Sequence, residues 1–295
     1  MKTAITFLFA ISGLLSYSQI KGVVVDSQTG EAIPYANIWL LGKTNGTSSE
    51  KTGAFYLPSY RTGDTITISS IGYAPLEVKP ENTNDIVVRL KAKRYELEAF
   101  IVKPRKKRHK LVVDPINRWA NTISFVCSST PWIVTKHFPF MDFYEKTPFI
   151  KEVRIHTKGE VDSSTINFHL YTVSANNKPC KDMLEENLLV KIRKGVHVTT
   201  INLENEKILF PSNGLFVGVE WLIINSNRYQ TIFTDKELRK KSVDSYSPKI
   251  LAEKKKGEEI VWLYTGGKWA ASNFLQNQYD SSYYLVPKIE LILTD

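Results

Sequence analysis

The segment from Ile20 to Leu90 is divided into short apolar runs by turn residues that recur at intervals of about eight to twelve positions. In one of these runs, YANIWLL, the apolar residues Ala36, Ile38 and Leu40 alternate with larger or polar residues. This is the period of a β-strand with one buried face. No part of the segment has a helical period. The pattern therefore predicts a small all-β sandwich.

Three phrases follow one another in this segment: GVVVDSQTGEAIPYANIWL, GTSSEKTGAFYL and GDTITISSIGY. In this order they resemble the carboxypeptidase-regulatory-like domain, a transthyretin-like β-sandwich. The residues that match the motifs of that family are Thr29, Gly30, Glu31, Pro34, Gly53, Phe55, Gly72 and Tyr73. Many members have an Asp or Asn just before the Gly-x-Phe, where this chain has Lys51 and Thr52. The resemblance implies the fold of residues 19–92 and implies no catalysis.

Histidine and serine motifs of hydrolases are missing from the sequence. A zinc peptidase needs two histidines and a glutamate around one ion, yet none of the five histidines begins an H-x-x-E or H-E-x-x-H motif. These histidines are His109, His137, His156, His169 and His197. No G-x-S-x-G motif occurs either. We expect no catalytic residue, no metal and no cofactor, and we expect His156 and His169 at the surface beside polar neighbours.

The chain begins with MKTAITFLFAISGLLSYSQIKG, in which one lysine precedes a short apolar run. Ser16 and Ser18 are small residues at positions −3 and −1 of a cut before Gln19. This pattern predicts a signal peptide over residues 1–18 and secretion across the inner membrane. Because no cysteine follows the cut and no later apolar run reaches about 18 residues, neither a lipoprotein nor a transmembrane segment is expected. We predict a periplasmic or outer-membrane-associated protein.

A basic run, Lys103–Lys110, belongs to a predicted linker over residues 93–110. The phrase just before it, YELEAFIVKP, resembles one that follows the same small domain in outer-membrane TonB-dependent receptors. The residues after Lys110 are too few for a plug and a membrane barrel, so we do not expect a receptor. The basic run is either a weak contact with an anionic surface or a solvated spacer. The net charge of +9 does not indicate nucleic acid in an exported chain.

Strand patterns return over residues 111–295. PFIKEVRIHTKG and STINFHLYTV each have the alternation of a strand, and in the second Ile166, Phe168 and Leu170 alternate with polar or aromatic residues. The Gly-Gly turn in IVWLYTGGKWAA predicts a hairpin. Residues 225–259 are polar and rich in lysine, and they are predicted to separate two strands. Eight or more antiparallel strands predict a larger, jelly-roll-like β-sandwich. The phrases FHLYTVSANNKPCKDMLEENLLVKI and GLFVGVEWL resemble a sandwich that accompanies the regulatory-like domain in exported bacterial proteins of unknown role.

Aromatic residues near the Gly-Gly turn are candidates for a binding edge, because sugar rings stack on exposed aromatic faces. They are Trp269, Tyr279, Tyr283 and Tyr284. The alternative is that these side chains fill the core and rim of the sandwich.

Two further pairs of residues leave alternatives open. Glu220, in the apolar run FVGVEWLII, and Asp142 could form the carboxylate pair of a glycosidase, or Glu220 could be an ordinary residue on the outward face of a strand. Cys127 and Cys180 are the only cysteines. They could form a disulfide in an exported protein or remain separate buried thiols.

Taken together, these patterns predict an exported, non-enzymatic binding or docking protein of the bacterial envelope, with an envelope protein or a surface glycan as its partner. A carbohydrate-binding module is the first alternative. An envelope glycan hydrolase that uses Glu220 is the second.

Overall fold

The computed structural model describes residues 18–81, 85–93, 109–119, 123–234, 238–256, 261–272 and 283–295. Within these ranges the chain consists of β-strands and three short 3₁₀ turns, at residues 142–146, 204–206 and 225–227. No helix of the described residues is long and apolar enough to cross a membrane. The prediction of an all-β chain with two successive sandwiches is confirmed.

Several sequence-based predictions concern residues outside the described ranges. These are the signal peptide up to residue 17, most of the Lys103–Lys110 run, and Tyr279. The predicted cleavage site adjoins the described part, because the first strand begins at Ser18 and Gln19 follows within it.

Within the described residues, seven strands form the N-terminal domain. They are β1 (Ser18–Asp26), β2 (Asn37–Leu40), β3 (Gly46–Ser48), β4 (Ala54–Tyr60), β5 (Ile66–Ser69), β6 (Leu76–Val78) and β7 (Ile86–Leu90). One sheet has the order β4-β1-β7 and the other β3-β2-β5-β6. The strands β1 and β7 run parallel, whereas the other neighbours are antiparallel.

The inward faces of both sheets of this domain form one apolar core. The alternation predicted for β2 is present, since Ile38 and Leu40 belong to that core together with Val24 of β1 and Leu57 of β4. The turn at Gly53 is restricted to glycine, because its φ is +75° and an added Cβ would lie 2.6 Å from the carbonyl oxygen of Val24.

The described residues contain thirteen further strands in one continuously paired system. They are β8 (Lys110–Val113), β9 (Ile123–Cys127), β10 (Ile133–Phe138), β11 (Phe149–Val173), β12 (Pro179–Asp182), β13 (Leu188–Asn202), β14 (Leu215–Trp221), β15 (Arg228–Thr234), β16 (Lys240–Lys256), β17 (Trp262–Thr265), β18 (Lys268–Ala271), β19 (Tyr283–Pro287) and β20 (Ile289–Thr294). The hairpin predicted around the Gly-Gly turn is formed by β17 and β18.

The longest strand, β11, connects the two halves of the larger sandwich. Its first part pairs with β20 and its last part with β14. A bulge interrupts it at Gly159, which pairs with both Lys194 and Gly195 of β13. An added Cβ at Gly159 would lie 2.2 Å from the carbonyl oxygen of Arg193. The glycine therefore permits the bend that lets one strand serve both halves.

Two stretches differ from their sequence-based predictions. The lysine-rich stretch was expected to separate strands, yet it contains all of β15 and β16, which pair from Arg228–Tyr246 to Thr234–Lys240. Many of its side chains are exposed, so these strands lack the apolar alternation that would reveal them. The second difference is at β11, where two segments that were predicted as separate strands form one continuous strand.

The two domains contact each other through backbone groups that follow β14. The Ile223 N–H donates to the Ser48 hydroxyl at 3.0 Å, and the Asn225 N–H donates to a carboxylate oxygen of Glu50 at 2.8 Å. The buried strand β3 and the segment after it thus accept hydrogen bonds from the larger sandwich.

Candidate functional site

Polar residues of β11 and β14 lie in register at the boundary between the domains. Asn167 is opposite Glu220, and His169 is opposite Gly218. Because side chains alternate along a strand, Asn167, His169 and Glu220 lie on one face. All three are buried, with exposed fractions of 1%, 4% and 2%. The expectation that His169 and Glu220 lie at the surface is therefore wrong.

A cavity of 240 Å³ lies over these polar residues. The N-terminal domain contributes Tyr35 and Asn37 to its lining, and the larger sandwich contributes Tyr171, Asp182 and Trp269 among others. We call this cavity the interdomain pocket. The outward face of β14 is buried because Asn37 of the N-terminal domain contacts Glu220 and the Tyr171 ring lies over Gly218. Neither contact can be read from the strand alone, so an ordinary exposed position was expected there.

Three charged side chains form a chain of hydrogen bonds at the base of the pocket. The His169 Nδ1 lies 2.6 Å from an Asp182 carboxylate oxygen, and its Nε2 lies 2.9 Å from Glu220 Oε2. Both imidazole nitrogens are therefore engaged, which leaves His169 unable to ligate a metal. Among the described residues, no group of three His, Cys, Asp or Glu side chains is arranged to hold a metal ion.

The carboxylates on either side of His169 determine its protonation state. Burial opposes the charged imidazolium, but the Asp182 and Glu220 carboxylates outweigh burial and raise the pKa of His169 to about 10. For Glu220, burial favours the neutral acid, but hydrogen bonds from His169, Asn37 and Asn167 lower the pKa below its usual value. At neutral pH the cluster holds one imidazolium between two carboxylates, with a net charge of −1.

Two asparagine amides complete the hydrogen bonding of Glu220. The Asn37 amide donates to Oε1 from the N-terminal domain, and Asn167 Nδ2 donates to Oε2 at 2.8 Å and to Asn187 Oδ1 at 2.9 Å. Because a carboxylate only accepts, both amides turn their NH₂ groups toward it. The Oδ1 atoms of Asn37 and Asn167 are buried and have no hydrogen-bond partner among the described residues.

Aromatic rings form the opposite part of the pocket. The Trp269 ring meets Tyr171 and Tyr264 edge to face, with ring centroids 5.2 and 5.1 Å apart. Tyr171 in turn stacks on His169 at 5.3 Å. Gly218 makes room for this arrangement, because an added Cβ there would lie 2.8 Å from Tyr171 Cε2.

The aromatic residues predicted as a binding edge do not all meet. Trp269 lines the interdomain pocket. Tyr283 and Tyr284 lie on β19, where Tyr284 packs against the main core of the larger sandwich. They are separated from Trp269 because β18 pairs with β17, whereas β19 pairs with β16.

The second carboxylate considered for a hydrolase is remote from Glu220. Asp142 begins a 3₁₀ turn beyond Phe138, and Phe138 pairs with Leu215, whereas Glu220 pairs with Ile133 at the other end of β10. At about 3.3 Å per residue, Ile133 beside Glu220 and Phe138 before the turn of Asp142 are roughly 17 Å apart along β10. That exceeds the ~10 Å limit for an inverting glycosidase.

Both cysteines are free thiols in the structure. Cys127 is buried in β9 and donates to the Thr130 carbonyl at 3.2 Å, and its burial raises the pKa of the thiol. Cys180 is exposed on β12 and lines the interdomain pocket. No disulfide joins them: Cys127 is buried on β9, whereas Cys180 is exposed on β12.

Three residues of the pocket were not predicted from the sequence: Asn37, Asn167 and Asp182. A usable signal was present, because Asn167 and His169 interrupt an otherwise apolar strand that pairs with the equally apolar strand of Glu220. Polar residues in strands that are apolar on both faces indicate a buried polar network.

Residues 20–102 match the family model of the CarboxypepD_reg-like domain. The N-terminal sandwich is a carboxypeptidase-regulatory-like domain. The regulatory-like domain therefore supplies Asn37 to the pocket, and the larger sandwich supplies the charged cluster. No curated protein matches the chain.

Solved structures with similarity to the chain include two from Bacteroides. A candidate carbohydrate-binding protein from Bacteroides uniformis is 14% identical, with a TM-score of 0.20 over 79% of this chain and 97% of that chain. A candidate membrane-associated protein of unknown function from Bacteroides fragilis is 11% identical, with a TM-score of 0.21 over 95% of this chain and 98% of that chain.

Proposed function

We propose that the chain is a non-enzymatic binding protein of the bacterial envelope that recognises a sugar residue in the interdomain pocket. The observation that carries this proposal is the pairing of aromatic rings on one side of the pocket with hydrogen-bond acceptors on the other. A sugar ring has apolar C–H faces and a rim of hydroxyl groups, so it fits a site of this kind.

The donors of the site are already used, so its remaining polar atoms are acceptors. Asn37, Asn167 and His169 all direct their N–H groups to carboxylates or to a neighbouring amide. The amide oxygens of the two asparagines have no partner among the described residues. Both oxygens are buried, so a ligand hydroxyl would reach them after a small movement of the asparagine side chains. It would then satisfy acceptors that otherwise cost free energy.

The size of the pocket limits the ligand. Its volume of 240 Å³ is below the ~300–1,000 Å³ of pockets that hold drug-sized ligands. We therefore propose that one sugar ring enters and that the rest of a surface glycan remains outside.

The state of Glu220 favours binding over hydrolysis. A glycosidase acid needs a raised pKa and a free oxygen that faces the scissile bond. Glu220 has a lowered pKa, and both of its oxygens accept hydrogen bonds. Export to the envelope is proposed from the N-terminal sequence pattern alone, MKTAITFLFAISGLLSYSQ.

Calorimetric titration with neutral monosaccharides and short glycans tests the proposal. We expect Trp269→Ala to weaken the binding of the best ligand by about ten- to a hundredfold, because it removes the platform on which the ring stacks. Trp119→Ala is the matched control, since Trp119 is 96% exposed and does not line the pocket. Tyr283→Ala, on β19, should also leave binding unchanged.

A second readout uses the exposed thiol of the pocket. Cys180 is exposed and Cys127 is buried, so a thiol reagent should label Cys180 first. A bound sugar should slow that labelling. The proposal fails if no sugar binds, if both tryptophan variants behave alike, or if the protein releases reducing ends from envelope glycans and Glu220→Gln abolishes that release.

A further inference from the structure

A second cavity, of 720 Å³, lies on one face of the larger sandwich. It extends across β13, β11, β16 and β9, where Lys158 is opposite both Val196 and Lys249. Arg118, in the loop before β9, lies at its edge. We call this cavity the basic pocket, and none of its residues contributes to the interdomain pocket.

Positive charge is in excess around the basic pocket. Lys158 and Lys249 share one carboxylate, with nitrogen-to-oxygen distances to Glu160 of 3.2 and 2.8 Å. Arg118 is exposed and has no ion-pair partner among the described residues. Three cations therefore face one anion, which leaves a net charge of about +2 for a ligand to neutralise.

A buried histidine adds an unsatisfied polar atom. His156 is 6% exposed, which corrects its predicted surface position, and its Nδ1 has no hydrogen-bond partner among the described residues. Burial, with help from Lys288 and Arg118, lowers the pKa of His156. At neutral pH the ring therefore adds no positive charge to the basic pocket.

The floor of the basic pocket is apolar. Val196 is 54% exposed and Ile123 is 37% exposed, although both lie on strands. Val198 and Leu251 continue the same surface. Exposed aliphatic side chains beside a group of cations suit a ligand that has both a charged end and an apolar end.

We propose that the basic pocket binds a small amphiphile with a phosphate headgroup. The headgroup lies among Arg118, Lys158 and Lys249, and the apolar part lies on Val196. A phosphate monoester carries a charge of about −1.5 to −2 at neutral pH, which matches the excess charge of the pocket. The proposal is independent of sugar binding, because the two pockets share no residue.

Calorimetric titration of the full chain with decyl phosphate, below the concentration at which it forms micelles, is the direct test. We expect saturable binding that is at least about tenfold tighter than that of inorganic phosphate, because only the alkyl chain can bury the apolar floor. Decyl maltoside, which has no charge, should bind far more weakly. Equal affinities for decyl phosphate and inorganic phosphate would overturn the proposal, as would no binding of either.

Matched variants locate the binding. Arg118→Gln should weaken decyl phosphate binding about three- to tenfold, whereas Arg89→Gln, an exposed arginine of β7, should not. Val196→Asp should abolish binding, whereas Ile232→Asp, at a position 69% exposed on β15, should not. Both aspartate positions are exposed, so the variants should fold. If the members of either pair behave alike, the basic pocket is not the site.

Two sources of this chemistry can be separated with vesicles of phosphatidylcholine and phosphatidic acid. Sedimentation of the wild-type chain with these vesicles, and its loss in Arg118→Gln, would assign the ligand to a membrane lipid. Decyl phosphate binding without sedimentation would assign it to a free amphiphile. Either outcome supports the headgroup chemistry.

Discussion

At the scale of single residues, the free-energy cost of burying the charged His169 imidazolium has to be offset by close partners. Moving charged groups from water into a protein costs several kcal/mol per ion, and only close partners offset that cost. His169 has a carboxylate at each ring nitrogen, and Glu220 accepts from His169, Asn37 and Asn167. The network therefore fixes one arrangement of these side chains at the base of the interdomain pocket.

The stability of the chain should fall as the pH rises above neutrality. The pKa of His169 is raised to about 10 in the folded chain, against about 6.5 when unfolded. A raised pKa contributes stability that is complete below about pH 6.5 and is lost as the pH approaches 10. Chemical denaturation at several pH values between about 6 and 10 should show this decline in the wild type.

His169→Gln should remove that part of the pH dependence and cost about 3–5 kcal/mol near pH 6, because the buried carboxylates lose their cation. His109→Gln is the control, since its ring is 74% exposed. An unchanged decline in His169→Gln would assign the pH dependence to other groups.

Trp269 and Glu220 were both predicted as candidate residues, but in separate sites. Both lie at the interdomain pocket, yet they are far apart in sequence, and nothing in a single sequence reports which strands pair. The burial of Glu220 depends on contact with Asn37, so its environment could not be inferred from β14 alone.

At the scale of strands, runs of apolar residues predicted the buried strands, whereas the polar, exposed strands were missed. The strands β2 and β14 lie within the apolar runs YANIWLL and GLFVGVEWL, whereas β15 and much of β16 are polar and exposed. Exposed strands are stabilised by pairing with segments that are distant in sequence. Their own residues therefore give little indication that they form strands. The bulge at Gly159 similarly joins two predicted strands into one.

Gly218→Ala should disturb β14 and the pocket together. The added methyl group would lie 2.8 Å from Tyr171 Cε2 and 3.1 Å from His169 Cβ, and both neighbours are buried. Overpacking of this kind costs about 1–3 kcal/mol, measurable by urea denaturation, and a displaced Tyr171 ring should also weaken sugar binding.

A double-variant cycle tests the stated cause. In a Tyr171→Leu background the ring is gone, so Gly218→Ala should cost clearly less. If the cost is the same in both backgrounds, contact with the Tyr171 ring is not the reason for glycine at this position.

At the scale of the molecule, the contact between the domains is polar and specific. It includes the Asn37–Glu220, Ser48–Ile223 and Glu50–Asn225 hydrogen bonds. Of these contacts, the one made by Asn37 tolerates substitution least, because its amide donates to a carboxylate that is buried.

Asn37→Asp should separate the unfolding of the two domains. The substitution replaces a donor with a second carboxylate beside Glu220, which should cost about 3 kcal/mol through repulsion and a lost hydrogen bond. Scanning calorimetry should then show two transitions in place of one. Asn45→Asp, in an exposed turn, is the matched control and should keep the wild-type profile; two transitions there as well would rule out a specific role for Asn37.

Both domains line the interdomain pocket. The small domain contributes Tyr35 and Asn37, and the larger sandwich contributes the charged cluster and Trp269. Under the proposed function, a gene fusion that exchanged the small domain for a relative would change which sugar fits, since one wall of the pocket would carry new side chains. Specificity in such a chain can evolve by recombination at the joint, without any substitution in the larger sandwich.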